Sequence, residues 1–224
     1  MLLKTVLISL LGGLLCLDRT CLQLMISRPV VTAPIIGMVL GDGWTGLIIG
    51  AFLELLWVDR PPLGNYIPPN DTLLAVIITA TTVLAGGRDQ PNPYELRIFS
   101  LLLFLPLAFV SQKIDIYLTE LNNKASDAAL DDAAQGDDRA IAKKHLSAPG
   151  KAFLAYVGMI LFCTTIGTWL LGSLFAVLPP SAMKALRLLY TAFPLLMAAV
   201  TIHALHLRRS VPVFCGIFIL ATLL

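Results

Sequence analysis

Charge is scarce in this sequence. Asp, Glu, Lys and Arg supply 13% of its 224 residues, against roughly a quarter in a typical soluble domain. The net balance is only +2, and no basic patch is interleaved with aromatics, so nucleic acid is not an expected partner. Histidine is rarer still, at His145, His203 and His206; the last two, at i and i+3, are read as ordinary interfacial residues and not as a metal pair. The four cysteines, Cys16, Cys21, Cys163 and Cys215, form no CxxC motif and mostly lie in apolar runs. Each is expected to be a buried small hydrophobe. No nucleophile–base pair or metal-ligand cluster occurs at useful spacing, which argues against an independent enzyme and for no cofactor or metal.

What is present in quantity is apolar surface. Hydrophobic residues make up 57% of the chain and the mean hydropathy is +0.83, values of a membrane protein. Crossing about 30 Å of hydrocarbon takes roughly 20 residues in a helix. Runs of that order occur at Val30 to Val58, Ile98 to Leu118, Ala152 to Leu178 and Leu186 to Leu207, with shorter ones at Leu2 to Leu17, Leu73 to Ala85 and Val211 to Leu224. The expected fold is an all-α polytopic membrane protein of five to seven segments, some broken or re-entrant. The first run imitates a signal peptide, but no small-x-small cleavage site follows it, so a first membrane segment is the expectation.

One stretch is water-loving: Thr119 to Lys151, rich in Ala, Asp and Lys. It divides an N-terminal membrane half, 1–118, from a C-terminal half, 152–224, and is expected to be a charged helical connector that breaks at Gly136 and ends at Pro149-Gly150. Lys113, Lys124, Arg139, Lys143, Lys144 and Lys151 flank it, and Arg208-Arg209 fall on the same side two passes later, so the positive-inside rule places both in the cytoplasm.

Proline and glycine mark where ordinary helices fail. In "LWVDRPPLGNYIPPNDTLLA" two Pro-Pro pairs and Gly64 interrupt the apolar pattern, and no continuous helix passes through such a stretch. Irregular backbone at membrane depth survives only inside protein or beside a wet cavity. The run Leu73 to Ala85 is too short to cross alone, so a re-entrant pair broken near 59–72 is expected, a place where transporters build substrate sites.

Glu54 stands just ahead of that break, inside an apolar run. Counting back by fours gives Gly50, Gly46 and Asp42, one side of a helix, and the pairs Gly37/Gly41 and Gly46/Gly50 permit close helix approach. At 1.5 Å of rise per residue, Asp42 and Glu54 lie roughly 18 Å apart along the axis, which puts Glu54 well inside if Asp42 is near a surface. A charge there costs about 3 kcal/mol even on lenient scales. The offset is an ion pair with Arg60 or Arg28, a proton or ion site, or a site for an uncharged polyhydroxylated solute. For the last, Glu54, Asn65, Asn70 and Asp71 supply acceptors and amides that match sugar hydroxyls. Trp57 and Tyr66 offer flat faces for a ring, or form an interfacial belt.

These residues carry a family resemblance. "SRPVVTAPIIGMVLGDGWTGLIIGAFLELLW" followed by "PLGNYIPPNDTLLAVIIT" resembles the N-terminal half of enzyme IIC of the mannose/fructose/sorbose phosphotransferase systems. The matching elements are Arg28-Pro29, the glycine block Gly37 to Gly50 with Gly41-Asp42, Leu53-Glu54, and Gly64 to Asp71. They cover roughly positions 10 to 86; the remainder is similar only in hydropathy. The resemblance implies the sugar-translocating subunit of a bacterial inner-membrane complex, binding a hexose or amino sugar. It also implies a IID membrane partner, cytoplasmic IIA and IIB proteins carrying phosphate on histidine, and phosphorylation of the sugar by IIB, so no histidine here is expected to carry phosphate. Glycine faces that suit helix packing within or between subunits leave the oligomeric state open, with an oligomer expected. Val58 to Pro62 departs from the family's plainer loop, and the family usually continues through another segment beyond the final run. A IIC-like scaffold or regulatory subunit without transport is therefore the alternative expectation.

Overall fold

The computed structural model describes residues 2–58, 66–87, 93–204 and 210–223, and the regular structure in them is helical throughout. Helix α1 (Leu2–Leu17) runs on into one π-helical turn, Asp18–Leu22. Then come α2 (Pro29–Leu40), α3 (Gly43–Leu56), α4 (Asp71–Gly86), α5 (Tyr94–Phe104), α6 (Leu107–Ala134), α7 (Asp138–Ala176), α8 (Pro180–Ala204) and α9 (Ser210–Leu223). Among the described residues, three helices are long and apolar enough to cross a membrane: α1 with its π turn, α7 and α8. The pair α5 and α6, bent by 45°, makes a fourth crossing if taken as one. The bend falls at Leu105-Pro106, where proline withholds the N–H a continuous helix needs. The short apolar helices α2, α3 and α4 supply the broken segments.

The apolar run Val30 to Val58, whose length suits one crossing, is two helices. Gly41, at φ +104°, turns the chain in a conformation that costs glycine little, and α3 returns along α2 as a hairpin. The small residues make the approach possible: a methyl group at Gly46 would run into the Ala33 carbonyl oxygen, and one at Gly50 into that of Pro29. The glycine pairs thus serve helix packing within one hairpin.

Helix α4 lies at the centre, with every residue from Thr72 to Val83 buried. Helices α2, α3, α5, α6, α7 and α1 all pack against it. Helix α8 closes the far side of α3 and α5 through Phe52, whose ring lies 4.7 Å from that of Phe193, and through an Arg187–Glu95 ion pair at 2.8 Å.

Beyond the packed body, α6 and α7 continue as a charged helical hairpin. Its tip is Gly136, at φ +70°, and Asp137 caps α7 by accepting from the Ala140 N–H at 3.0 Å. The Lys144 ammonium ties the arms together, reaching the Asp132 carboxylate and the Ala128 carbonyl. Gly136 breaks the helix as expected; Pro149-Gly150 does not end it. Both lie inside α7, so the hairpin is an extension of membrane helices, and positions 118 and 151 fall mid-helix. Of the cysteines only Cys16 is fully buried. Cys163 is partly so, while Cys21, on the turn after α1, and Cys215, on α9, are exposed.

Candidate functional site

The open end of the α2–α3 hairpin is where the interrupted segments converge. Glu54 lies in the last turn of α3, and its carboxylate accepts from Arg28 Nη1 at 3.1 Å and from the Val30 N–H at 3.4 Å. Arg28 immediately precedes Pro29, the first residue of α2, so the pair clips the two ends of the hairpin together. Half of the Arg28 side chain and about a quarter of that of Glu54 are exposed (50% and 23%); the pair faces a cleft and not a dry seam. Of the two arginines the sequence offers to Glu54, Arg28 is the one found there. Arg60 lies outside the described residues, as do Gly64 and Asn65.

The turn that delivers Arg28 is held by a buried acid. Asp18 accepts from the Leu24 N–H at 2.8 Å and the Ser27 N–H at 3.0 Å. These bonds fix a tight path in which Gln23 and Met25 take positive φ of 54° and 65°, a conformation uncommon for side chains with a Cβ. Arg19 and Arg28 thereby reach one cleft of about 370 Å³, lined also by Gln23, Ser27, Trp57 and Asp71. Its size suits a small solute. Asp71, in the first turn of α4, accepts from the Thr72 N–H at 2.9 Å and lies 3.6 Å from Arg19 Nη1.

Behind Asp71 the polar groups turn inward. Asn70 is fully buried and caps α4, its side-chain oxygen accepting from the Leu73 N–H at 3.0 Å. Its own N–H donates to Ser111 Oγ at 3.1 Å, and its amide donates to the Asp115 carboxylate at 3.2 Å. Tyr156 donates to the same carboxylate at 2.9 Å. Further bonds hold the extended strap 66–70 against its neighbours: Gln112 Nε2 to the Ile67 carbonyl at 2.6 Å, and Arg19 to the Pro69 carbonyl at 3.4 Å.

On the other side of the strap lies a second cleft, of about 750 Å³, at the base of the charged hairpin. Tyr66, Asp115, Thr119, Asn122, His145 and Tyr156 line it. Arg19 and Pro68 border both clefts.

The sequence-derived candidates therefore separate. Trp57 and Asp71 face the first cleft with Glu54 behind Arg28, and Tyr66 faces the second. Asn70 is spent on capping. Asp42 sits at the opposite end of α3, accepting from the Thr45 N–H at 2.9 Å and from its hydroxyl at 2.6 Å, while Thr45 Oγ1 accepts from Arg97 Nε at 3.0 Å. Arg97 is in the first turn of α5, so the hairpin tip is level with the start of α5. The hairpin opens toward the end where α6 and α7 project. Sequence reading missed Arg19, Gln112, Asp115 and Tyr156. Asp115 carried the same signal as Glu54, an ionisable side chain inside an apolar run, whereas Arg19 lies two residues past the run Leu2 to Leu17. Among the described residues no three His, Cys, Asp or Glu side chains converge as metal ligands would.

Residues 2–224 match the family described as the PTS system sorbose-specific IIC component. The putative N-acetylgalactosamine permease IIC component 2 of Escherichia coli K12 is 40% identical over 63 residues, 28% of this chain and 47% of its own. The mannose-specific EIIC component of the same strain is 32% identical over 120 residues, 54% of this chain and 42% of its own. The sorbose-specific EIIC component of Klebsiella pneumoniae is 29% identical over 123 residues, 55% and 43%. The chain spans less than half the length of the curated relatives it matches. Two solved structures share the fold. One, described as a membrane protein, has a TM-score of 0.75 at 22% identity and covers 98% of this chain and 86% of that one. The other is a chain in the cryo-EM structure of the mannose transporter ManYZ with microcin E492, with a TM-score of 0.65 at 21% identity, covering 99% and 87%.

Proposed function

Because the chain belongs to the sorbose-specific IIC component family of the phosphotransferase system, we propose that it is the sugar-translocating membrane subunit of such a system, and that the 370 Å³ cleft takes a neutral hexose or amino sugar. The observation that supports this reading is the pair of half-satisfied ion pairs, Arg28–Glu54 and Arg19–Asp71, on one cleft beside Trp57. A carboxylate accepts about four hydrogen bonds and a guanidinium donates five. Each of these groups uses only part of that capacity, and sugar hydroxyls, donors and acceptors at once, take up the remainder. Trp57 gives a ring face for the apolar side of the sugar. A micromolar sugar needs only about 8 kcal/mol, within reach of a few charge-assisted hydrogen bonds and one stacked ring.

In this reading Glu54 acts by holding Arg28, and Asp71 and Trp57 touch the sugar. Asn70 supports them from behind, and Gly64 and Asn65, outside the described residues, are kept as sugar-binding candidates. The N-terminal broken-helix region, 1–118, carries the site and moves against the C-terminal half to alternate access, with the 119–151 hairpin facing the cytoplasm of a bacterial inner membrane. The partners are a IID membrane subunit and cytoplasmic IIA and IIB proteins, IIB phosphorylating the sugar as it arrives, so the phosphoryl chemistry lies on another chain. Mannose, N-acetylgalactosamine and sorbose, the sugars named for similar proteins, form the natural test panel.

The engagement of Glu54 and Asn70 within the protein favours one second reading, a IIC-like scaffold that keeps the fold and binds no sugar. Titration of the chain reconstituted with its IID partner separates the two. Transport predicts saturable binding of one panel sugar, weakened about tenfold or more by Asp71→Asn, the loss of one charge-assisted bond. Unchanged affinity overturns the site, and no binding favours the scaffold.

A further inference from the structure

The 750 Å³ cleft at the base of the hairpin is twice as large as the proposed sugar site and adjoins it, Arg19 and Pro68 of the strap lining both. The second cleft is on the side marked cytoplasmic by Lys113, Lys124, Arg139, Lys143, Lys144 and Lys151, and Thr119, Asn122 and His145, on its rim, belong to the arms of the projecting hairpin.

Its most telling residue is Asp115. The carboxylate is half-buried at the base of the α6 arm, two residues past Lys113, and is not within ion-pair distance of any Lys or Arg among the described residues. Its partners are the Asn70 amide, at 3.4 and 3.2 Å to its two oxygens, and the Tyr156 hydroxyl at 2.9 Å. Both are neutral donors, and they leave part of the carboxylate's accepting capacity open. The open side is the cleft. Arg19, on the same lining, acts on this acid only from beyond ion-pair distance, and hydroxyl groups of a solute complete its hydrogen bonding without bringing charge. Tyr66, 46% exposed, presents a ring face to the same space, and Asn122 presents an amide with both donors and an acceptor.

We propose that this cleft is a second sugar station, on the cytoplasmic side, in which Asp115 and Asn122 hydrogen-bond the hydroxyls and Tyr66 stacks on the ring. The station rests on the transport reading above and extends it: sugar leaves the first cleft past Arg19 and waits where a cytoplasmic phosphoryl donor can reach it. Arg19 is suited to the boundary because its guanidinium pairs with Asp71 on one side and holds the Pro69 carbonyl of the strap. Displacing it couples emptying of the first cleft to filling of the second.

Cys21, exposed and part of the second cleft's lining, is a native reporter. In the full chain with its IID partner, Cys163→Ser and Cys215→Ser leave it as this chain's accessible thiol, and Trp44→Phe and Trp169→Phe leave Trp57 as this chain's only tryptophan; alkylation is read on this chain's band and emission as the difference from a Trp57→Phe control. With mannose, N-acetylgalactosamine and sorbose as probes at ten times the measured dissociation constant, mass action predicts about tenfold slower maleimide alkylation of Cys21 by the bound sugar. Asn122→Ala, at an exposed position with no bond to lose, abolishes the protection while the Trp57 emission still responds; Asp115→Asn also abolishes it. Asp71→Asn weakens the Trp57 response and spares the protection. A Trp57 response without Cys21 protection overturns the second station and leaves the transport reading standing. Protection that survives both Asn122→Ala and Asp115→Asn, or that disappears with Asp71→Asn, also overturns the station. Silence of both reporters overturns the transport reading itself.

Discussion

Glu54 and Arg28 are 26 residues apart in the sequence and 3.1 Å apart in space, closing the open end of a helical hairpin whose two strands of backbone touch through glycine. The pair explains how an acid is tolerated in an apolar run: it sits at a hairpin mouth, beside a cleft, with an arginine that the preceding turn holds in reach.

Reversing the pair separates its two roles. Arg28→Glu alone places two acids together and is expected to lower the melting temperature in detergent; adding Glu54→Arg restores it. The stability at stake is no more than about 1 kcal/mol, because the pair is half exposed. Sugar binding is not restored in the swapped protein, since the guanidinium then faces the wrong side of the cleft. Recovery of binding together with stability would show that Arg28 does not touch the sugar.

The hairpin should be intolerant of a single methyl group. Gly46→Ala drives a Cβ into the Ala33 carbonyl oxygen, and backbone gives way only by separating the helices, at about 1–3 kcal/mol. Gly172→Ala in α7 meets nothing within 4 Å and is expected to be neutral or stabilising by up to about 1 kcal/mol. Thermal unfolding of the two variants side by side checks the contrast; equal effects would mean that α2 and α3 are not packed this closely.

Asn70 is expected to matter for α4 before it matters for any solute. Asn70→Ala removes the cap on Leu73 and one donor to Asp115, a loss of about 2 kcal/mol in total. Hydrogen exchange at the first amides of α4 should quicken. If exchange is unchanged while sugar affinity falls, Asn70 contacts the sugar directly.

The proposed sidedness, with the charged hairpin in the cytoplasm, is open to labelling. A cysteine at Ser126, exposed on the α6 arm, is expected to react with an impermeant maleimide only after the cells are opened. One at Ser181, exposed at the start of α8 across the membrane, reacts in intact cells, with Cys21 and Cys215 replaced by serine in both. The opposite pattern would invert the topology and place the second cleft outside the cell.

Much of this architecture was legible in the residues. Apolar runs called for membrane helices, Gly136 for the hairpin tip, and the prolines between Trp57 and Asn70 for a break. The ordered elements from Arg28-Pro29 to Asp71 were enough to point to the family. Two features resisted reading because they rest on competition between local signals. Pro149-Gly150 looked like a stop, yet α7 passes through it, its packing outweighing one missing hydrogen bond. The run from Val30 to Val58 looked like one helix, because Gly41-Asp42 is a turn only when a partner helix is there to fold back on.

The chain itself determines that this protein lives in a membrane, that its helices break where glycine and proline fall, and that its few ionisable side chains must find partners, because solvation in hydrocarbon is too costly to leave them alone. Only the tertiary structure decided which partners: Arg28 for Glu54, Arg19 for Asp71, Asn70 and Tyr156 for Asp115. Those pairings join residues 26 to 52 positions apart and across five helical elements, and no spacing rule encodes them, since helical periodicity relates only residues a turn or two apart.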